Sequence, residues 1–278
     1  MSDPAQSDPA QPDPGDLLEL ACRLAVNAGD QIQDMRAAVM SGAPEAETKS
    51  SSVDLVTAAD RAAEATIVAG LAKERPHDGV LGEEGASRAG TTGTRWIIDP
   101  IDGTTNYVYG IASYSVSIAV EHEGTLLAGA VYDPAGEVLF AAARGRGATR
   151  NGHPITASSR AELATALVAT GFGFVADRRR GQAEVLLALL PQIRDIRRFG
   201  SAALDLCSVA CGQVDAYYEK GLNYWDYAAG RVVAEEAGVV VGNLRGGPPD
   251  PGFVVAAGPL LFETLADALR LQGADDKP

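Results

Sequence analysis

The stretch WIIDPIDGTTNY, residues 96–107, constrains this chain more than any other. An apolar run leads directly into two aspartates three apart, with Pro100 between them and Gly103 just after. Proline lacks an amide hydrogen and pushes its predecessor toward extended backbone, so Asp99 should close a strand. Asp102 then precedes Gly-Thr-Thr-Asn, where its side chain can cap a short helix. Both carboxylates meet at one turn. The Ile101 carbonyl lies between them as a neutral oxygen donor, and the Gly103 and Thr104 amides are set to receive an anion. Asp-Pro and Asp-Gly are also ordinary turn formers, and a double Asx turn explains the same spacing. The motif by itself leaves both readings open.

Other acids shift the balance. VLGEEGAS puts Glu83 and Glu84 at a glycine-flanked turn after a short apolar strand, where a solvated turn is the plain alternative. NYWDYAAG puts Asp226 before a helix whose Ala228, Ala229 and Gly230 permit close packing, although aspartate is a good N-cap anywhere. Taken together, Glu83, Asp99, Asp102 and Asp226 stand at strand ends and helix starts, where chain reversals of an α/β sheet gather ligands. Four converging carboxylates repel strongly unless cations accompany them. Hard divalent ions that prefer oxygen resolve this, and Mg²⁺ keeps waters that can react. The four charges balance two Mg²⁺, and a phosphate monoester dianion can recruit a third.

With 278 residues, the chain has room for one large domain or two closely packed ones. Its formal net charge of −14 argues against nucleic-acid or anionic-membrane partners, which need a basic field. No apolar run approaches the roughly 20 residues of a membrane-spanning helix. Cys22, Cys207 and Cys211 are odd in number and no secretory pattern opens the sequence, so a reduced, cytoplasmic location is expected. Cys207 and Cys211 sit four apart with no further ligand nearby, which points to core thiols. His77, His122 and His153 stand alone, in surface or structural settings.

Residues 1–15, with repeated Asp-Pro and Gln-Pro, read as a disordered tail. Helical periodicity starts at Asp16, and a second helix is predicted over 58–74, ending before Pro76. Short strands bounded by Gly or Pro follow, in GVLG, RWIID, YSVSIAVEHEG, GTLLAGAVYDP and EVLFAAARGRG. The first half is thus helices on a mainly antiparallel sheet. After NGHPI, strands and helices alternate, the signature of a layered α/β unit. The boundary is placed near Thr156, giving an α+β unit over 16–155 and an α/β unit over 156–278.

GEEG, WIIDPIDGTTNY and WDYAAG, in that order, closely resemble the three signatures of the inositol monophosphatase family, which includes SuhB-like bacterial proteins. The match extends through KSSSVDLVTAAD, YSVSIAV, RRFGSAALDLC and DAYYEKGLNYWD, and so covers nearly the whole chain after the tail. The resemblance implies a layered α-β-α-β-α sandwich of the inositol monophosphatase and fructose-1,6-bisphosphatase type. It also implies Mg²⁺-dependent, lithium-sensitive hydrolysis of small phosphate monoesters, commonly by a homodimer. By position, Glu83, Asp99 and the Ile101 carbonyl look like ligands of a first ion, and Asp99, Asp102 and Asp226 like ligands of a second. Glu83 also faces a weaker third ion. Thr104 with Glu83 resembles the pair orienting the attacking water, supported by Asp60 and Lys49, while the Gly103 and Thr104 amides resemble the phosphate cradle. Glu219 matches the acid that contacts inositol hydroxyls, with Ser201 and Ala202 lining the same pocket beside Asp102 and Asp226.

Inositol 1-phosphate is the expected substrate, with histidinol phosphate, fructose 1,6-bisphosphate or a 3'-phosphonucleotide as alternatives within the same chemistry. Arg178, Arg179 and Arg180 either meet a second phosphate or face water. A different class is regulatory, since SuhB-like members join RNA-polymerase-associated complexes.

Overall fold

The structure, a computed structural model, describes residues 12–40, 46–48 and 55–276. Residues 1–11 of the expected tail and Lys49 lie outside the described residues. The N-terminal unit begins with α1 (Pro14–Met40), an antiparallel pair β1 (Ala46–Thr48) and β2 (Leu55–Thr57), and α2 (Ala58–Glu74). Then come β3 (Gly79–Gly82), β4 (Ser87–Arg88), β5 (Thr94–Asp102), the short α3 (Thr104–Tyr109), β6 (Ser115–His122), β7 (Thr125–Asp133), β8 (Val138–Ala143), β9 (Ala148–Arg150) and β10 (His153–Pro154). The second half runs through β11 (Leu167–Thr170), α4 (Ala176–Leu189), β12 (Asp195–Arg197), α5 (Ala202–Ala210), β13 (Ala216–Glu219) and α6 (Tyr224–Glu236). It closes with β14 (Val240–Gly242), β15 (Val254–Ala257) and α7 (Phe262–Leu271).

Strands β3 to β10 form an eight-stranded sheet ordered β10-β9-β8-β7-β6-β5-β3-β4, antiparallel except where β3 lies parallel to β5. A five-stranded sheet, β12-β11-β13-β15-β14, is parallel on the β11 side and antiparallel around β15. Side-chain alternation along β5 explains how the layers stack. Trp96 and Ile98 pack with α1 and α2, whereas Ile97 packs with α5 and α6. The sheet is therefore covered on both faces, and WII reads as a continuous apolar run for that reason. The α5–α6 layer also touches Ala169, Tyr217, Val254 and Ala256 of the second sheet. That sheet's far face is closed by α4 and α7 through Val185, Leu189, Leu265 and Leu269. The order of layers is α-β-α-β-α, as expected.

Two local expectations are corrected. Helix α1 begins at Pro14, two residues before the expected start, because Asp13 caps it: its Oδ1 accepts the amides of Gly15 at 2.7 Å and Asp16 at 3.2 Å. Proline at the first helical position suits a cap of this kind, so the Asp-Pro that reads as tail is here a helix start. At the other helix, Asp226 is not the N-cap of α6. Asn223 is the cap, and Asp226 sits in the first turn with its Oδ2 accepting the Asn223 amide at 2.6 Å.

The central helices approach closely because glycine stands at the contacts. A Cβ on Gly129 of β7 would lie 2.6 Å from the Ala229 carbonyl, and one on Gly230 of α6 would lie 2.9 Å from Cβ of Leu206 on α5. No rotamer change relieves such clashes, since backbone or Cβ atoms are struck. Replacing Gly230 with valine should force α5 and α6 apart and lower stability by about 1–3 kcal/mol, read from urea denaturation. An unchanged midpoint would show that the two helices are free to separate.

Candidate active site

Strand β5 sets the site through its register. Gly82 of β3 pairs with Ile98, and the Glu83 amide donates to the Ile98 carbonyl at 3.1 Å, so Glu83 emerges beside Asp99. Between Asp99 and Asp102 the pairing with β6 shifts, the bulge expected where proline cannot donate to the ladder. Asp99 Oδ1 accepts the Ile101 amide at 3.1 Å, which is the Asx turn. One Asx turn is thus formed, at Asp99, while Asp102 accepts from Ser201 and Ala203 instead. Asp99 is 2% exposed and lies within electrostatic reach of Glu83, Asp102 and Asp226. Burial first, then these neighbours, hold its carboxyl well above the usual range.

Asp102 does not cap α3, whose N-cap is Gly103 with no side-chain bond. Its Oδ2 instead accepts the Ser201 hydroxyl at 2.6 Å and the Ala203 amide at 2.7 Å, at the start of α5. Burial pushes Asp102 up to about 6 against the pull of these donors. Ser201 is fully buried and caps α5 through the Leu204 amide as well, so its hydroxyl is committed to positioning Asp102. Ala202 lies next to it, 7% exposed. Asp226 reaches the cluster from α6, its acidity reduced chiefly by burial and then by Asp102 and Glu83. Gly103 has φ of 99°, and a Cβ there would lie 3.0 Å from the Gly200 carbonyl, so only glycine fits between α3 and the α5 start.

Helix α2 holds the opposite side. Asp60 Oδ2 accepts the amide and hydroxyl of Thr57, and its Oδ1 lies 3.1 Å from the Thr104 hydroxyl. That hydroxyl is also 3.1 Å from the Ile101 carbonyl, so its single proton chooses between two acceptors. One turn on, buried Glu64 accepts the amides of Glu84 and Ala86, each at 2.9 Å, and so shapes the Glu83–Glu84 turn. The sequence reading missed Glu64. Its signal was an acid four residues after Asp60 on an alanine-rich helix, which puts both on one face. Glu219, at the end of β13, accepts the Tyr217 hydroxyl at 2.7 Å. Burial pushes it up to about 7, offset by Tyr217, Arg198 and Arg178.

Among the described residues, no three His, Cys, Asp or Glu side chains are disposed to hold a metal ion as they stand. Burial and the neighbouring charges of Glu83, Asp102 and Asp226 favour the neutral form of Asp99. The donor set, four carboxyls and the Ile101 carbonyl, is oxygen alone and fits a hard divalent cation.

A pH dependence follows. The folded values of Asp102, about 6, and Glu219, about 7, lie above their ordinary 3.8 and 4.5. The folded chain therefore binds protons more tightly than the unfolded chain across that window, and stability rises as pH falls through it. Cation-free protein should melt at higher temperature at about pH 5.5 than at about pH 7.5, and a divalent cation should shrink the difference by favouring the ionised forms. A melting temperature that climbs toward pH 7.5 without cation would contradict the assignment.

The family model described as the inositol monophosphatase family matches residues 13–273. The chain is 42% identical to the inositol-1-monophosphatase SuhB of Mycobacterium tuberculosis H37Rv, over 94% of this chain and 96% of that one. It is 38% identical to the Nus factor SuhB of Pseudomonas aeruginosa, over 91% of this chain and 96% of that one. The crystal structure of the extragenic suppressor protein SuhB from Bartonella henselae superposes with a TM-score of 0.87 at 34% identity, covering 92% of this chain and 98% of that one. Members of this family are generally metal-dependent, in keeping with the donor set. The chain belongs to the inositol monophosphatase family.

Proposed function

We propose that this chain hydrolyses inositol 1-phosphate and related small phosphate monoesters to the alcohol and inorganic phosphate. The observation that carries the reading is that buried Asp99 and Asp102 lie within electrostatic reach of Glu83 and Asp226, which come from separate stretches of the chain. Membership of a phosphomonoesterase family and the 42% identity to an enzyme named inositol-1-monophosphatase support it. Glu83, Asp99 and the Ile101 carbonyl would hold one Mg²⁺, and Asp99, Asp102 and Asp226 a second. Glu83 would share a third, with Asp60 and Lys49 behind it. When bound, such ions act as Lewis acids toward phosphoryl oxygens and acidify coordinated water.

The chain's own groups then have defined tasks. Ser201 and the Ala203 amide fix Asp102, leaving its other oxygen for the site. Thr104, donating to Asp60, keeps lone pairs for the proton of an incoming water, with Glu83 on the other side. The Gly103 and Thr104 amides take phosphate oxygens, and Glu219 takes a substrate hydroxyl, assisted by Ser201, Ala202 and Asp226 lining the pocket. No helix among the described residues is long and apolar enough to cross a membrane. A cytoplasmic homodimer, with most ligands in residues 16–155 and the selecting residues in 156–278, belongs to the same reading.

A second reading, regulatory binding, is favoured by the 38% identity to a protein named Nus factor SuhB. One variant separates the two. Asp99→Asn should reduce phosphate release from inositol 1-phosphate to near background and weaken divalent-cation binding in calorimetry, because it removes a charge shared by both ion positions. Full turnover in that variant would overturn the catalytic assignment. A cellular phenotype insensitive to it would favour the regulatory role. Across a panel of esters, preference for histidinol phosphate over inositol 1-phosphate would overturn the substrate.

A further inference from the structure

Of the four acids proposed to hold cations, Glu83 alone stands outside every helix and strand. It opens the turn between β3 and β4, where Glu84 follows it and the two side chains repel. Such a turn keeps one path only if its backbone is held, so the destination of each amide matters. Gly82 donates to the Ala86 carbonyl at 2.7 Å and Glu83 to the Ile98 carbonyl at 3.1 Å. The amides of Glu84 and Ala86 go instead to a side chain, one to each carboxyl oxygen of Glu64, both at 2.9 Å. Glu64 is 6% exposed and reaches them from α2, 20 and 22 residues earlier in the chain.

Two further observations give this contact a purpose. A Cβ on Gly82 would lie 2.1 Å from Glu64 Oε2, so the residue before Glu83 is glycine where the carboxyl passes. On α2, Glu64 follows Asp60 by four residues, one turn along the same face. Asp60 lies 3.1 Å from the Thr104 hydroxyl, and Glu64 holds the turn that carries Glu83. Thr104 and Glu83 are the pair proposed to receive the attacking water. One helix face therefore grips both members of that pair, and the pitch of the helix sets their separation. A residue serving only to tie α2 to the sheet would have no reason to bring a third acid beside Glu83 and Glu84.

We propose that Glu64 is a positioning residue for Glu83, presetting its carboxyl for a divalent cation as Asp60 presets Thr104. The proposal rests on the reading of the acid cluster as the cation site of a phosphomonoesterase. Glu64 acts through the backbone of the turn and not as a ligand. Without it, Glu83 must be ordered when the ion arrives, and that cost is subtracted from cation binding.

The test is calorimetric titration of the full chain with Mg²⁺, alongside phosphate release from inositol 1-phosphate at graded Mg²⁺. Glu64→Gln keeps the size but exchanges one acceptor for a donor. It should weaken Mg²⁺ binding about tenfold and raise half-saturating Mg²⁺ equally, while kcat at saturating Mg²⁺ falls less than about threefold. Gly82→Ala should act alike by displacing the carboxyl, and should do no further harm in a Glu64→Ala background, where the clash is gone. Amide hydrogen exchange at Glu84 and Ala86 should quicken in each variant. If Glu64→Gln melts lower yet binds Mg²⁺ as the wild type does, Glu64 is a structural tie and the proposal falls. Should that variant fold poorly, Gly82→Ala decides in its place. A wild type that binds Mg²⁺ but releases no phosphate overturns the hydrolase reading, and the calorimetry still decides the role of Glu64.

Discussion

Repulsion among buried carboxyls is the constraint on which this architecture depends. Asp99 alone faces three other acids in a setting that water barely reaches, and Asp60 adds a further carboxyl nearby. The fold answers with the starts of helices. Asp60 sits in the first turn of α2 under the Thr57 cap, Asp102 takes the amide and cap hydroxyl at the start of α5, and Asp226 sits in the first turn of α6. Three helices thus begin at the cluster. Their unpaired amides and positive dipole ends face the acids, a partial compensation of up to about 2 kcal/mol per helix end in the best-packed cases. What remains uncompensated is what a cation or a shared proton supplies.

This arrangement requires the helices to come close, which explains the small residues around the site better than any local preference does. Gly230 brings α6 onto α5, Gly129 brings β7 onto α6, and Gly82 gives room to the Glu64 carboxylate, whose Oε2 would lie 2.1 Å from a Cβ there. Gly103 and Gly200 let the α3 and α5 starts touch. A larger residue at any of these points would move a helix start, and with it the donor that holds one acid in place. Packing and electrostatics at this site are therefore one problem with one solution.

How far the sequence revealed this depends on the range of each interaction. The bulged end of β5 was legible because apolar run, proline and two aspartates are all local signals. The layering was legible too, since WII is apolar on both faces while the second half alternates strand and helix. The partner of Asp102 was not. Its donors lie 99 and 101 residues away, and an aspartate before Gly-Thr-Thr looks like the cap of the next helix. Asp226 was assigned to the right helix and the wrong position, because Asn223 three residues earlier offers equal cap chemistry. Arg198 carried no signal at all, being the second of two adjacent arginines where β12 passes into a loop. Lys49 lies outside the described residues, so its expected part beside Asp60 remains an expectation.

The same repulsion ties stability to ligand binding. A protein that buries unpaired acids is less stable than its packing allows, and any species that binds the folded cluster and not the unfolded chain restores the difference by mass action. A cation at the acid end would do this by neutralising the charge that burial and neighbouring acids concentrate at Asp99. Glu219 and Asp205 extend the acidic region toward β13 and α5, yet Arg178 and Arg198 stand near them without closing into ion pairs.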